Sequence, residues 1–173
     1  MQPEQTLTTE RLRLRAPEPA DAPRMAELAN DYDVARMLVP MPYPYTVANA
    51  EDFIEHQADF HGDGRAFAIE HPDEGLIGVV GVSTGKDAFP MTGYWLGRPY
   101  WGRGYATEAL EAAMGWTRSR LGARAIMSSH FVDNPASGWV LTKAGFLYTG
   151  EVRPLRSTGR GETVLARKMI WLA

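Results

Sequence analysis

The amino-acid sequence predicts a mixed α/β (α+β) fold, in which about four helices pack on one central mixed sheet of seven strands. Strand-like and helix-like segments follow each other in the order β-α-α-β-β-β-α-β-α-β-β. The 173 residues are 45% hydrophobic and 23% charged, which suffices for the core of one compact domain. No internal repeat or low-complexity segment interrupts this pattern. We therefore expect a single domain over residues 1–173.

The first third of the chain is predicted to hold one strand and the first helices. Apolar and charged residues alternate over residues 9–15, which is typical of a strand with one buried face. Asp21 is placed to cap a helix, and a short turn or helix follows over residues 34–38. Thr46 is placed to cap a further helix that runs to about residue 60.

The rest of the chain is predicted to contain a hairpin, four more strands and two more helices. Two apolar runs, residues 66–70 and 76–82, are joined by turn residues and predict the hairpin. Apolar residues recur at intervals of three and four over residues 106–121, which predicts the central helix. A shorter helix is predicted over residues 135–143, ended by Gly145. The further strands are predicted over residues 91–96, 125–131, 146–152 and 163–171.

The composition excludes several classes of site. The chain has no cysteine, which rules out disulfides, thiolate metal sites and a cysteine nucleophile. A net charge of -3 disfavours broad binding to nucleic acid, which needs a dominant basic face. His56 and His61 are not on one helix face and no carboxylate completes a site, so we expect no metal. No apolar run resembles a signal peptide or reaches membrane-spanning length, so we expect a cytoplasmic protein that binds no membrane.

A glycine-rich turn before the central helix is the clearest candidate for a ligand site. Glycine lets the backbone approach a ligand closely, the first amides of a helix point outward, and the helix dipole favours anions. The spacing fits neither a Walker loop, which needs Gly-Lys-Ser/Thr, nor a dinucleotide fingerprint, which needs a third glycine. On spacing alone, a helix start that carries glycines by chance remains an alternative. The turn consists of Trp101, Gly102, Arg103, Gly104, Tyr105, Ala106 and Thr107.

Three ordered blocks of sequence resemble the GNAT acetyltransferases. Residues 93–109 resemble the pyrophosphate-binding motif of that family, in particular of the branch related to ribosomal-protein acetyltransferases of RimJ and RimL type. Residues 134–146 resemble the second signature of this branch, and residues 9–15 with Asp21 resemble its first strand and helix start. Trp101 departs from the Gln or Arg of the wider family, as is usual in this branch. The resemblance covers nearly the whole chain and implies the GNAT fold, with its sheet splayed at the cofactor site and acetyl-CoA as co-substrate.

The resemblance also implies how acetyl-CoA is held. Amides of the glycine turn would bind the pyrophosphate, and the strand before the turn would pair with pantetheine where two parallel strands splay apart. A backbone amide near Leu96 would polarise the thioester carbonyl. Asn134 would hold the pantetheine or acetyl end, and Ser137 would help to protonate the departing thiolate. Taken alone, these two residues are better explained as a helix cap and a solvated helix residue. The implied cofactor-binding residues are Leu96, Gly97, Arg98, Trp101, Gly102, Arg103, Gly104, Tyr105, Ala106, Thr107, Asn134 and Ser137.

The proton acceptor of the reaction is left open by the sequence. Many GNAT enzymes carry a tyrosine acid where Leu141 stands here, and a glutamate in the stretch equivalent to residues 91–93, and this chain has neither. Ser137, His130 and Glu70 are the candidate catalytic residues; a histidine titrates near neutrality, and Glu70 ends a strand. The alternative for His130 is a histidine packed within its strand.

Because no catalytic base is identified, the basicity of the acceptor amine indicates which acceptors are favoured. An α-amine, with a pKa of about 7.7 to 8.0, is neutral at pH 7 far more often than a lysine at about 10.4. It therefore depends less on a catalytic base to remove a proton. We therefore predict a protein or peptide N-terminus, or a small amine, as acceptor. Tyr43 and Tyr45, in a loop with three prolines, are candidate acceptor contacts, with ordinary packing as the alternative. Arg153, Arg156 and Arg160 are predicted in a loop between the last two strands that could bind an acceptor carboxylate, with a solvated hairpin as the alternative.

These observations predict an enzyme that transfers an acetyl group directly from acetyl-CoA to a primary amine, without a covalent intermediate. The missing base motivates an alternative, a non-catalytic CoA-binding sensor on the same scaffold, and a purely structural domain is a third hypothesis. The amine acceptor is the partner that we expect, with the chain acting as a monomer or homodimer.

Overall fold

The computed structural model describes residues 6–59, 64–84 and 89–173. The strands are β1 (Leu7–Thr8), β2 (Arg13–Arg15), β3 (Arg65–His71), β4 (Gly75–Ser83), β5 (Met91–Leu96), β6 (Ala125–Phe131), β7 (Leu147–Ser157) and β8 (Glu162–Leu172). The helices are α1 (Ala22–Ala29), α2 (Tyr32–Ala35), α3 (Val47–Glu55), α4 (Tyr105–Leu121) and α5 (Pro135–Lys143).

The strands form one mixed sheet in the order β1-β2-β3-β4-β5-β6-β8-β7. Neighbouring strands are antiparallel except β5 and β6, which are parallel. The predicted mixed α/β fold is confirmed. The described residues contain eight strands instead of seven, because residues 7–8 form a strand of their own, and five helices instead of four, because residues 32–35 form a separate short helix.

The first predicted strand, residues 9–15, is a hairpin instead of one strand. The Thr9 amide donates to Leu12 O at 2.9 Å and Leu12 N donates to the Thr9 hydroxyl at 3.0 Å, and this turn folds the chain back. Leu7 then pairs with Leu14 between β1 and β2. The alternating pattern was therefore misleading, because a hydroxyl at residue 9 supports a turn as readily as a strand.

The two predicted helix caps have different outcomes. Thr46 caps α3, with its hydroxyl accepting from Asn49 N at 3.2 Å, as predicted. Asp21 precedes α1 but makes no capping bond to it. Its carboxylate accepts two hydrogen bonds from Arg15, at 2.7 and 2.8 Å, and one from Glu18 N at 2.9 Å. A charge-assisted bidentate pair is stronger than a cap bond, so the arginine takes the carboxylate.

The central helix packs its apolar face against the sheet. Met114 and Trp116 of α4 are buried, and the Trp116 ring meets the Phe67 ring of β3 edge to face with centroids 5.4 Å apart. Both side chains therefore belong to the core. The chain enters this helix directly from the end of β5, through the glycine turn, so the packing of α4 fixes where that turn lies.

The other elements lie close to their predicted positions. The bounds of β5, β6 and α5 agree with the prediction, and β3 and β4 form the predicted hairpin. The helix predicted to reach residue 60 ends at Glu55 and continues as a 3-10 turn, His56–Asp59.

Candidate functional site

The parallel strands β5 and β6 diverge and leave an opening in the sheet. Within the described chain they pair only at Met91 and Met127. Met127 N donates to Pro90 O at 2.8 Å. Ser128 Oγ donates to Thr92 O at 3.0 Å. These contacts are at the start of both strands, so their carboxyl-terminal halves are left unpaired with each other.

Backbone groups of β5 point into this opening. The amide of Gly97, one of the predicted cofactor contacts, donates to Ile77 O at 2.9 Å on the β4 side. Successive residues of a strand direct their backbone groups to opposite edges, so those of Tyr94 and Leu96 face the opening. Leu96 O is occupied, because it accepts from Trp101 Nε1 at 2.8 Å. A ligand between the strands can therefore bond to the N–H and C=O of Tyr94 and to the N–H of Leu96.

The glycine turn lies at the end of the opening and starts α4. Gly102 and Gly104 have φ of +73° and +83°, in the left-handed region that other residues disfavour. Gly104 is the N-cap of the helix, and Glu108 N donates to Gly104 O at 3.1 Å. The amides of the three residues between them precede this first helical bond and lie at the positive end of the helix dipole. The turn therefore has the geometry of an anion site.

The side chains of Thr9 and Arg11 attach the first hairpin to the start of α4. Glu108 accepts from the Thr9 hydroxyl at 2.6 Å, and from the backbone N and Nε of Arg11 at 2.8 and 2.7 Å. Arg11 Nη1 also donates to Arg103 O at 2.9 Å. Its guanidinium lies 4.7 Å from the centre of the Tyr105 ring. The sequence analysis missed this cluster, because its members are 97 and 99 positions apart and no local pattern joins them.

This cluster brings positive charge to the turn. Burial raises the pKa of Glu108, but hydrogen bonds from Thr9 and Arg11 outweigh that effect, and the pKa of Glu108 lies below its ordinary value. Nη2 of Arg11 would lie 3.3 Å from a Cβ built on Gly104. A guanidinium is therefore next to the helix start in addition to the exposed Arg103.

Arg98 and Trp101 connect the turn to other elements. The Arg98 Nε lies 2.8 Å from the Asp31 carboxylate, and its Nη1 donates to Asp33 at 3.5 Å. The side chain of Arg98 therefore binds the start of α2. The Trp101 indole is 44% exposed and fastens the turn to the end of β5 through its bond to Leu96 O.

Asn134, Ser137 and Tyr94 lie together across the opening. Asn134 is the N-cap of α5, and its Oδ1 accepts from Ser137 N at 3.2 Å, so the helix-cap interpretation is confirmed. The Ser137 Oγ is 2.8 Å from the Tyr94 hydroxyl oxygen, and either oxygen can donate the hydrogen bond between them; Ser137 O lies 3.2 Å from the same phenol oxygen. Burial raises the pKa of Tyr94 above its ordinary value, although the bond to Ser137 acts in the opposite direction. The phenol therefore keeps its proton at neutral pH.

Tyr94 was not a predicted site residue. It lies within the segment 93–109 that carried the family resemblance, but its side chain reaches a residue 43 positions further along the chain. The pairing depends on the parallel arrangement of β5 and β6, which a local pattern does not specify.

His130 is buried, with both ring nitrogens in hydrogen bonds. Nδ1 is 2.8 Å from Phe131 O, which can only accept, so Nδ1 carries the proton. Nε2 then accepts from the Tyr148 hydroxyl, 3.0 Å away. A Cβ on Gly138 would lie 2.8 Å from Nε2, so α5 also closes over this side of the ring. These contacts favour the interpretation of His130 as a histidine packed within its strand over a role as general base.

Glu70 lies on β3 and is paired with two arginines. Its carboxylate is 3.2 Å from Arg13 Nη1 and 3.4 Å from Arg15 Nε. It is not among the residues that line the cavity described next. The geometry therefore gives no support to Glu70 as the proton acceptor.

A cavity of about 700 Å³ lies at the opening between β5 and β6. Residues 91–95 of β5 and 129–131 of β6 contribute to its walls, which connects it to the backbone groups described above. Tyr45 also lines it and is buried. Tyr43 is exposed and packs its ring 5.2 Å from that of Tyr32, outside the set of lining residues.

Arg153 and Arg156 lie in β7, so the prediction that they occupy a loop was wrong. Pro154 between them suggested a loop, but β7 is at the edge of the sheet, where a missing amide is tolerated. Arg153 forms an ion pair with Glu151. Neither arginine is among the residues that line the cavity.

Arg160 lies in the turn between β7 and β8 and binds groups of the protein itself. Its guanidinium donates to both carboxylate oxygens of Asp133, at 2.6 and 2.9 Å, and to Arg36 O at 2.6 Å. It also lies 5.0 Å from the centre of the Phe131 ring, and only 7% of its side chain is exposed. Arg160 is therefore a structural clamp between the hairpin and the chain after α2.

The described residues contain neither a metal-binding group of side chains nor a membrane-spanning helix. Among residues 6–59, 64–84 and 89–173, no three His, Cys, Asp or Glu side chains lie close enough to hold a metal ion. His61, weighed above as a metal ligand, lies outside these ranges. In the same part of the chain, no helix has the length and apolar character needed to cross a bilayer.

Comparison with known proteins gives a consistent result. A family model described as the acetyltransferase (GNAT) domain matches residues 11–147. A curated protein of Bacillus licheniformis, named "Uncharacterized N-acetyltransferase p20", is 29% identical over 155 residues, which make up 86% of this chain and 86% of that protein.

Solved structures of acetyltransferases have the same fold. A GNAT-family acetyltransferase of Bacillus anthracis superposes with a TM-score of 0.83 at 19% identity, over 97% of this chain and 98% of that one. Mycobacterium smegmatis RimJ, solved in complex with CoA-disulfide, superposes with a TM-score of 0.80 at 20% identity, over 95% of this chain and 87% of that one.

Replacing Glu108 by Gln should lower the free energy of unfolding at pH 7 by about 1 to 3 kcal/mol, because the bonds from Thr9 and Arg11 lose their charged acceptor. The pKa of Glu108 is lowered in the folded protein, so its contribution is present above the ordinary value of 4.5 and is lost as pH falls through the folded value. Urea unfolding of both proteins at pH 7 and at about pH 3.5 should show the difference shrinking at the lower pH.

Glu111→Gln is the matched control, since Glu111 is exposed on the same helix. It should change the free energy of unfolding by less than about 0.5 kcal/mol at either pH. Equal losses in the two variants, or a Glu108→Gln loss that does not depend on pH, would contradict the role given to the cluster.

Proposed function

The chain belongs to the GNAT acetyltransferase family, and from this premise we propose that it transfers the acetyl group of acetyl-CoA to a primary amine that enters through the cavity at the opening between β5 and β6. The observation that carries the proposal is the position of this opening. One end meets an anion-binding helix start, and the other end meets a cavity large enough for an acceptor.

Two features of this chain fit acetyl-CoA. The helix-start amides of α4, with Arg11 and Arg103 beside them, suit a pyrophosphate in geometry and charge. The amide of Leu96 and the C=O of Tyr94 suit the amide groups of pantetheine, which would extend along β5 as an added strand. This places the pantetheine contact earlier on β5 than the sequence indicated, because the amide of Gly97 is bound to β4.

The reaction replaces a carbon–sulfur bond by a carbon–nitrogen bond. The amine nitrogen attacks the thioester carbonyl, the bond to sulfur breaks, and the amine loses a proton while the thiolate gains one. The Tyr94 amide, further from the helix start than the Leu96 amide, would donate to the carbonyl oxygen as negative charge develops on it. We assign Ser137 as the residue that donates a proton to the thiolate. The Tyr94 hydroxyl, 2.8 Å from Ser137 Oγ, then returns a proton to Ser137.

The proton of the amine needs no dedicated base in this proposal. His130 has both ring nitrogens bound, and Glu70 is paired with two arginines. An α-amine, whose pKa is about 7.7 to 8.0, enters neutral in a substantial fraction at pH 7 to 8 and releases its proton to solvent after the attack. A lysine side chain, at about 10.4, is almost fully protonated there, so an α-amine or a similarly weak amine is the favoured acceptor.

Thiol release from acetyl-CoA tests the proposal directly. We expect release, matched by one acetylated amine per thiol in the mass spectrum, with a peptide that has a free α-amine and no lysine. A peptide of the same length with a blocked N-terminus and one lysine should react at least about tenfold more slowly at pH 7. Binding of CoA without thiol release on any amine would identify a non-catalytic sensor instead, and a strong lysine preference would overturn the argument about the base.

Gly104→Glu should weaken CoA binding by at least about 100-fold, because the new carboxylate stands against the pyrophosphate at the helix start. Gly122→Glu is the matched control. Gly122 ends the same helix with φ of +61°, so both substitutions carry a similar backbone strain and the same charge. Isothermal titration with CoA measures both, and unchanged affinity in Gly104→Glu would mean that the phosphates bind elsewhere.

Tyr94→Phe and Ser137→Ala should each lower kcat by about 10- to 100-fold, because the thiolate loses its proton source. The KM for acetyl-CoA should change by less than about threefold, since most of the proposed cofactor contacts are backbone groups of β5 and of the glycine turn. Tyr148→Phe is the control, because it removes a phenol that bonds to His130 on the same side of the sheet. If Tyr148→Phe loses as much activity as Tyr94→Phe, the proton path runs through His130 instead.

A further inference from the structure

The cavity at the opening has mostly apolar walls. Its walls are formed by the loop after α2, by helix α3, by the central strands, and by residues of β7 and β8. Its apolar lining side chains include Met37, Leu38, Met41, Phe53, Val82 and Leu155. Methionine side chains adapt to ligands of different shape, so this wall suits a bulky apolar group better than one fixed outline.

One edge of the cavity is polar and carries a negative charge. Asn49 and Asp52 are three residues apart on one face of α3, His56 follows four residues later in the 3-10 turn after this helix, and all three line the cavity. Tyr45 lies close to this face: burial raises the pKa of its phenol, and the Asp52 charge raises it further. A carboxylate at the mouth of an apolar cavity attracts an ammonium group.

No lysine or arginine is among the cavity-lining residues of the described chain. Arg160 is bound to Asp133 and to Arg36 O, and Arg153 is paired with Glu151. Within the described residues, a substrate carboxylate would therefore meet no lysine or arginine in a mostly apolar wall, and it would lie near Asp52. Burying an unpaired carboxylate is costly, so such a substrate is disfavoured.

The shape of the cavity is held by the β7–β8 hairpin. Thr158 N donates to Val39 O at 3.0 Å, and Ser157 Oγ donates to Leu38 O at 3.2 Å. The Arg160 clamp fastens the same loop. The apolar wall after α2 is therefore in place before a ligand arrives, which reduces the entropy lost on binding.

We propose that this cavity binds the acceptor, and that the acceptor is a primary amine attached to a large apolar group with no carboxylate beside the amine. The apolar group contacts the wall formed by the loop after α2, and the amine reaches the opening at β5. The exposed Asp52 attracts the cationic fraction of the amine to the cavity, and the neutral fraction reacts at the opening. This inference rests on the proposed acetyl transfer and narrows it to a substrate class.

Pairs of amines that differ in one group test the inference with the intact protein. Tryptamine and tryptophan differ only in the carboxylate, and ethanolamine supplies an amine without an apolar group. All three are compared at about pH 9, where the neutral fraction of an alkylamine is about 100-fold higher than at pH 7, so that the lack of a base does not mask the cavity contacts. Thiol release should give tryptamine a kcat/KM at least about tenfold above that of either. Tripeptide amides that begin with Trp or Ser extend the test to peptides, where the Trp peptide should be the better acceptor.

A charge reversal at the cavity edge should change the selectivity. Asp52→Arg supplies the missing cation, so the ratio of kcat/KM for tryptamine over tryptophan should fall by at least about threefold. Glu51→Arg is the matched control, with the same change in charge on the neighbouring residue of α3, which does not line the cavity. In the Glu51→Arg variant, the ratio of kcat/KM for tryptamine over tryptophan should equal that of the unsubstituted protein.

The outcomes separate the inference from the function on which it rests. Absence of thiol release with every amine, while CoA still binds, would end the proposed function itself. Transfer that favours tryptophan or ethanolamine over tryptamine would overturn the inference alone. Equal selectivity shifts in Asp52→Arg and Glu51→Arg would also overturn it, because they would reflect the net charge of the protein and not the cavity.

Discussion

The divergence of β5 and β6 beyond Met91 and Met127 determines where this protein can bind a ligand. Buried backbone N–H and C=O groups need partners, and a sheet that opens leaves some of them without the neighbouring strand. In β5 these are the groups of Tyr94 and the amide of Leu96. A chain-like ligand with amides of its own can replace the missing strand, so the opening offers the backbone groups that the proposed cofactor needs.

Contacts distant in sequence hold both ends of this opening in shape. At one end, Glu108 bonds with Thr9 and Arg11 and fastens the first hairpin to the start of α4. At the other end, Arg160 and the β7–β8 turn fasten the loop that walls the cavity. Both contacts use charge-assisted hydrogen bonds in partly buried places, where such bonds are stronger than at the surface. The site is therefore formed in advance on a rigid sheet, which is what catalysis by positioning requires.

Local patterns were sufficient for most strands and helices and for the position of the glycine turn, and insufficient for the side chains around them. The bounds of β5, β6 and α5 agree with the prediction, and Gly102 and Gly104 marked the turn. Residues 153 and 156 were misread as part of a loop, because edge-strand position is a property of the whole sheet. The Tyr94–Ser137 and Arg11–Glu108 contacts join residues far apart in the chain, so only the three-dimensional arrangement reveals them. The candidate bases were chosen by residue type, which does not show that His130 and Glu70 already have partners within the protein.

Amide hydrogen exchange with and without CoA tests the central claim most directly, because it reports on the backbone groups themselves. The account predicts that CoA slows exchange at Tyr94 and Leu96 in β5 and at Tyr105 to Thr107 in α4, while the amides of β7 keep their rates. Protection confined to other parts of the chain, in a sample where CoA is bound, would show that the opening between β5 and β6 is not the cofactor site.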